Sequence, residues 1–265
     1  MELGINISGR LPYSEQIEGM KKAGIFRTFV AANGHDFDEL MAALAANGII
    51  CDNMHAPFDG INDMWHEGEA GEDMLNRLKI SVDRCKQYAV PVLVVHLSAG
   101  CPMQEINEIG MRRFAGLVEY ANANGVTIAF ENQRYLENLK WSLEDCLGAG
   151  FCWDCGHEAC FTPGLKFMPY FADKLVALHI HDNSCEYNVD NHVLPFDGKM
   201  DFDDVAKEIA KSGYQGTLML ETSKLSQYEG KAIYEEMTYE EFYQRAAESL
   251  KKLREMIEKY RRSER

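Results

Sequence analysis

The sequence contains no apolar run approaching the roughly eighteen residues needed to span a bilayer, so a membrane partner is not expected. Its start, Met1-Glu2-Leu3-Gly4-Ile5-Asn6-Ile7, has no basic stretch leading into an apolar one, which argues for a first strand rather than a leader and predicts a cytoplasmic protein. Basic residues are also scarce. The 27 Lys and Arg face 42 Asp and Glu, and a formal charge of -15 repels phosphate backbones, so nucleic acid is a disfavoured partner. Only 7 prolines occur, which excludes a fibrous or low-complexity chain. The eight cysteines lack regular spacing, and Cys152-x-x-Cys155 with Cys160 has no second pair at zinc-finger spacing. Reduced thiols are therefore expected rather than a disulfide framework or a structural zinc.

What is present is a compact profile, 46% hydrophobic and 26% charged, in a length that matches one α/β barrel. Short runs rich in Val, Ile and Leu alternate with longer amphipathic stretches, the sign of repeated strand–helix units around a parallel sheet. The strands are expected at Glu2 to Ile7, Phe26 to Ala31, Ile49 to His55, Val92 to His96, Thr127 to Glu131, Gly150 to Asp154, Leu175 to Ile180 and Thr217 to Glu221. Helices are expected at Ser14 to Ala23, Asp36 to Ala46, Glu72 to Tyr88, Ile106 to Asn124, Ser142 to Leu147, Phe202 to Ser212 and Tyr239 to Tyr260, with a short Leu165 to Ala172 segment after Pro163-Gly164. Ser14 and Asp201 are placed to cap helix starts, and Gly24, Gly48, Gly125 and Gly213 to end helices in the left-handed conformation. With no linker or low-complexity tract, the pattern predicts a single (β/α)8 TIM barrel over residues 1–265.

In such a barrel the C-terminal strand ends form the floor of the active site. Six of the eight apolar runs close on, or next to, an acid or imidazole: His55, His96, Glu131, Asp154, His179 and Glu221. These are minority residue types, and carboxylates pointed into one small mouth repel each other unless something neutralises them. A divalent cation does so, and a mixed carboxylate and imidazole set suits Mn, Zn, Co or Mg over a thiolate-seeking metal. His157, three residues after Asp154, and Asp190 and His192 in the loop after the seventh strand face the same rim, as ligands or as substrate contacts.

The motifs His55-Ala56-Pro57-Phe58, Glu131-Asn132, Asp154-Cys155-Gly156-His157, His179-Ile180-His181-Asp182-Asn183, Asp190-Asn191-His192 and Leu220-Glu221 together resemble the xylose-isomerase-like TIM-barrel superfamily along essentially the whole chain. That superfamily holds ketose epimerases, hydroxypyruvate isomerases, inosose dehydratases and endonuclease IV. Resemblance to the epimerases implies one metal held by Glu131, Asp154, His179 and Glu221, with His157 beside the substrate. Resemblance to endonuclease IV implies up to three ions, through His55 and His96 with Glu131, the same four residues, and His157, Asp190 and His192.

The reaction this implies is proton transfer next to a carbonyl of a small sugar, sugar phosphate or polyol, through an ene-diolate, with Glu131 and Glu221 as acid and base. The arginine an epimerase carries six residues beyond His179 is Cys185 here, so Arg134 or Lys199 is expected to supply a substrate contact. Trp65, Phe58, Trp153 and Phe196 are candidate stacking walls. Alternatives on the same metal set are inosose-type dehydration, phosphodiester hydrolysis at abasic DNA, for which cationic rim residues are too few, and a metal-binding scaffold without turnover. A homo-oligomer is compatible with the sequence.

Overall fold

The computed structural model describes residues 1–100 and 104–263. Eight parallel strands, β1 (Leu3–Ile5), β2 (Arg27–Ala31), β3 (Ile50–His55), β4 (Val92–Val95), β5 (Thr127–Glu131), β6 (Gly150–Asp154), β7 (Leu175–His179) and β8 (Leu218–Leu220), follow one another around the sheet, and β1 also pairs with β8. Ile180, just past β7, completes the ring: its N–H donates to the Met219 carbonyl at 2.9 Å, and the Glu221 N–H donates back to Ile180 at 3.0 Å. The result is the expected (β/α)8 barrel. No helix among the described residues is long and apolar enough to cross a membrane.

The helices are α1 (Tyr13–Ala23), α2 (Phe37–Ala46), α3 (Glu69–Gln87), α4 (Glu108–Ala123), α5 (Leu136–Asp145), α6 (Cys155–Phe161), α7 (Met168–Phe171), α8 (Phe202–Ser212) and α9 (Tyr239–Ser263). The α8 helix shows why such boundaries form. Asp201 accepts from the Asp203 and Asp204 N–H groups, Phe202, Val205, Ala206, Ile209 and Ala210 form one buried face, and Gly213 at φ 71° ends it. Gly24, Gly48 and Gly125 also adopt positive φ.

Three local expectations need correction. Ser14 does not cap α1, which begins one residue earlier; instead the Gln16 side chain accepts from the Ser8 N–H and donates to the Ser8 and Leu11 carbonyls. The fifth helix starts at Leu136 rather than Ser142, because Leu139 and Leu143 form its buried stripe and the Ser142 hydroxyl turns back onto the Leu139 carbonyl. After β6 the chain enters α6 at once, ahead of the short segment that was expected there.

Strand alternation explains the mouth. Val94, Ala129, Cys152 and Ala177 form a small buried cluster of their own, separate from the larger core. These four face the barrel interior, whereas Leu93, Ile128, Phe130, Phe151, Trp153 and Leu178 pack outward in that larger core. Two residues further along each strand stand His96, Glu131, Asp154 and His179, which the period of two sends to the same interior one layer higher. The parallel register pairs Asp154 with His179 and Glu131 with Cys152.

Candidate metal centre

Each strand end is held by its neighbours. Asn132 donates to the Asp154 carbonyl and accepts from the Asp154 N–H, both at 2.8 Å, tying the end of β5 to that of β6. Asp154 in turn caps α6 by accepting from the His157 N–H at 2.6 Å, which fixes His157 on the first turn. Beneath that turn lies the His181 ring. A Cβ on Gly156 would fall 2.0 Å from it, so the close approach depends on glycine. Asp182 gathers the following loop by accepting from the N–H groups of Asn183, Phe196, Gly198 and Met200 at 2.8–3.0 Å.

Glu131 is the hub. Its Oε1 lies 2.5 Å from His179 Nδ1, and its Oε2 lies 2.5 Å from His96 and 3.1 Å from the Gln133 amide nitrogen. Glu221 Oε2 lies 3.1 Å from the same His179 nitrogen, and His55 Nε2 lies 3.2 Å from His96 Nε2. Donor atoms of Glu131, Asp154, His179 and Glu221 all fall within 4.8 Å of one another, as do those of His55, His96 and Glu131 and those of His55, His179 and Glu221. A further group joins His157, Asp190 and His192 to His181, whose Nε2 lies 3.1 Å from Asp154 and 3.6 Å from Asp190.

Burial alone would push the Glu131 carboxyl up, but His179 and His96 outweigh it and hold it well below the usual carboxylate range. Glu221 is likewise lowered, burial being outweighed chiefly by His179. Burial would lower His157 and His192, yet Asp154 and Asp190 raise His157 to about 10, and Asp190, Glu221 and Asp154 do the same for His192. For His96 burial prevails over Glu131, and its imidazole is lowered.

The donor set fits a divalent cation. Three carboxylates converge in a buried space, and Asp154 Oδ2, His181 Nε2, Asp190 Oδ1 and Glu221 Oε2 make no hydrogen bond. Each buried polar atom left without a partner costs about 1–3 kcal/mol, so their concentration here suits the coordination of a cation.

The other expected residues fall in different places. Trp65 needs correction: it is 1% exposed, packed between Phe114 and Trp141 with its N–H donating to the Leu97 carbonyl, and has no face to offer a sugar. Trp153 is equally buried and donates to Glu158. Phe196 packs on Phe202 under the Lys252 ammonium, whereas Phe58 is exposed and stacks on His96. Arg134 stands over Phe161, which stacks on His157, and donates to Asn188. Lys199 lies 3.7 Å from Glu229. Sequence reasoning passed over three members of the site: His181, Gln133 and Phe29, whose ring stacks on His179. The signal for His181 was its place two residues beyond His179 on the same strand face.

Comparison with known proteins identifies the family and the fold. The description of the xylose isomerase-like TIM barrel family matches residues 17–237. An uncharacterized protein, y4fM of Sinorhizobium fredii, is 38% identical over 109 residues; the match takes in 41% of this chain and only 32% of that protein's length. Among solved structures, a D-psicose 3-epimerase with D-tagatose from Clostridium cellulolyticum H10 superposes with a TM-score of 0.76 at 17% identity, covering 97% of this chain and 99% of that one. A D-tagatose 3-epimerase-like protein gives 0.74 at 18% identity, covering 98% and 99%, and IOLI protein with a bound zinc atom 0.72 at 16%, also covering 98% and 99%. At these identities the likeness speaks for the fold.

Proposed function

The chain belongs to the xylose isomerase-like TIM barrel family, and from that premise we propose that it is a divalent-metal-dependent isomerase or epimerase of a small sugar or sugar derivative. The observation that carries this reading is the convergence of Glu131, Asp154, His179 and Glu221 within 4.8 Å at the C-terminal end of the barrel, with buried donor atoms left unpartnered. These four residues would hold the ion, whose charge, when bound, stabilises negative charge developing on substrate oxygens.

The two glutamates are not equivalent. Glu131 is enclosed by imidazoles and the Gln133 amide with both oxygens engaged, while Glu221 keeps part of its side chain exposed and lines a cavity of about 380 Å3. Glu221 is therefore the group we assign to take the proton from carbon, with Glu131 as its partner on the opposite wall. His157, braced between Asp154 and Asp190, is placed to orient a substrate hydroxyl.

The test is exchange of a carbon-bound proton for solvent deuterium, with Mn or Co supplied, across ketoses and their phosphates. Exchange by the wild type and its loss in Glu221→Gln support the reading; no exchange across the panel refutes it. Four donor groups that share residues, beside a separate one of His157, His181, Asp190 and His192, favour a second reading, a centre holding more than one ion. Metal content of the purified protein separates them: one Mn-like ion fits the sugar enzyme, whereas three zinc ions raise phosphodiester hydrolysis.

A further inference from the structure

The cavity beside Glu221 holds a cation that the chemistry so far leaves unused. Arg10, in the turn between β1 and α1, lines it with Asn6, Ser8, His192, Glu221 and Ser223. It is the one Lys or Arg among the residues lining that cavity. Arg10 is exposed, and among the described residues its guanidinium has no salt-bridge or hydrogen-bond partner; its one recorded bond is from the main-chain N–H to the Ser8 hydroxyl. The other cations considered for substrate contact are committed. Arg134 is spread over Phe161 at 3.7 Å and donates to Asn188, and Lys199 faces Glu229.

We propose that Arg10 sets specificity by binding an anionic group, a phosphate monoester or a carboxylate, on the substrate that Glu221 acts upon. The proposal rests on reading the mouth as a sugar site. A chain of net charge -15 repels anions at long range, so an anionic substrate needs a local positive group to enter, and a guanidinium offers paired donors in the geometry that carboxylate and phosphate accept. The polar lining supports the same ligand. Asn6 and Ser8 reach the cavity from the β1 end and Ser223 from the β8 end, beside Arg10, so an extended polyol can place hydroxyls among them while its charged terminus meets the arginine. At about 380 Å3 the space falls within the roughly 300–1,000 Å3 of small-molecule sites. The arginine expected beyond His179 and replaced by Cys185 is thus answered from the loop after β1, two strands round the ring from β7.

The experiment is titration calorimetry of the full chain, supplied with Mn, against three unreactive linear probes: a hexitol, the same hexitol carrying a terminal phosphate, and the corresponding aldonate. One or both anionic probes should bind about tenfold or more tighter than the hexitol, the scale of one charge-assisted contact. Arg10→Met should erase that preference with hexitol binding unchanged, and Arg10→Lys should keep part of it. Which anion is preferred tells phosphate from carboxylate. Equal binding of all three probes, or a preference that survives in Arg10→Met, overturns the proposal. Arg10 is exposed on a turn, so the variant folds. Deuterium exchange is a separate readout: an Arg10-dependent preference without exchange removes the isomerase reading alone, and exchange without that preference removes only the role of Arg10.

Discussion

The His179 imidazole lies flat on the Phe29 ring, with centroids 4.4 Å apart and planes 18° apart. Phe29 carries no chemistry, yet it closes one face of the imidazole that stands between Glu131 and Glu221. Replacing it tests whether ring packing orients a ligand. Phe29→Leu should leave the protein folded and weaken metal binding by about tenfold, the low end of what groups that orient a ligand contribute. Phe29→Ala should in addition cost about 3–5 kcal/mol of stability through the cavity it leaves. Metal titration beside denaturant unfolding checks both, and unchanged affinity in Phe29→Leu counts against an orienting role.

Metal removal should destabilise the fold measurably. Because the unpartnered atoms of Asp154 and Glu221 sit in the barrel mouth, an ion bound there binds the folded chain far better than the unfolded one. At a hundredfold excess over its dissociation constant that is about 2.7 kcal/mol, several degrees in melting temperature for a chain of this size. Chelation should lower the melting temperature and added Mn or Zn restore it. No shift with any divalent ion refutes the metal centre.

Gly156→Ala separates the two ends of the site. The added methyl would collide with the His181 ring, while the donors of Glu131, His179 and Glu221 lie on other strands. A stability loss of about 1–3 kcal/mol is expected from overpacking. Any ion held by His157, His181, Asp190 and His192 should be lost before one held by Glu131, Asp154, His179 and Glu221, and metal analysis of the variant reads the difference.

Trp65→Phe should act on stability alone. The indole N–H satisfies the Leu97 carbonyl at 2.6 Å, deep under α4, where Gly110 admits the ring. Losing that bond leaves a buried acceptor without its partner, at about 1–3 kcal/mol. The half-saturating concentration of any substrate found by deuterium exchange should stay within twofold of wild type.

The barrel and its mouth were legible because six of the eight strands are short apolar runs that close on or next to an acid or imidazole, as Ala129 then Glu131 and Cys152 then Asp154 show. The period of two carries that information without knowledge of the partner strand. Trp65 was misread because one aromatic in a loop after a strand looks the same whether it faces solvent or the underside of a helix; its burial depends on Phe114 and Gly110, more than forty positions away. Arg10 was invisible for a related reason: only ring closure between β1 and β8 brings its turn beside Glu221. The fifth helix is expected to begin only at Ser142, but Leu136 to Trp141 extend it on the N-terminal side.

Cys185 allows a pH test away from the metal ligands. Burial pushes the Cys51 and Cys152 thiols up to about 12 and Cys146 to about 11, so these should be inert to alkylation in the native protein. Cys185 alone among the described cysteines is exposed, at φ 57° in the loop after β7. Partial burial and the Asp182 carboxylate raise its thiol above the ordinary value. The sign follows from the thiolate being the nucleophile: a raised value leaves less thiolate at a given pH, so alkylation at neutral pH is slower than for a free cysteine and its rate climbs at higher pH. Cys185→Ser should remove one native-state reactive thiol, with denaturant exposing the buried ones in both proteins. A midpoint below that of free cysteine would show that the Asp182 charge does not reach this loop.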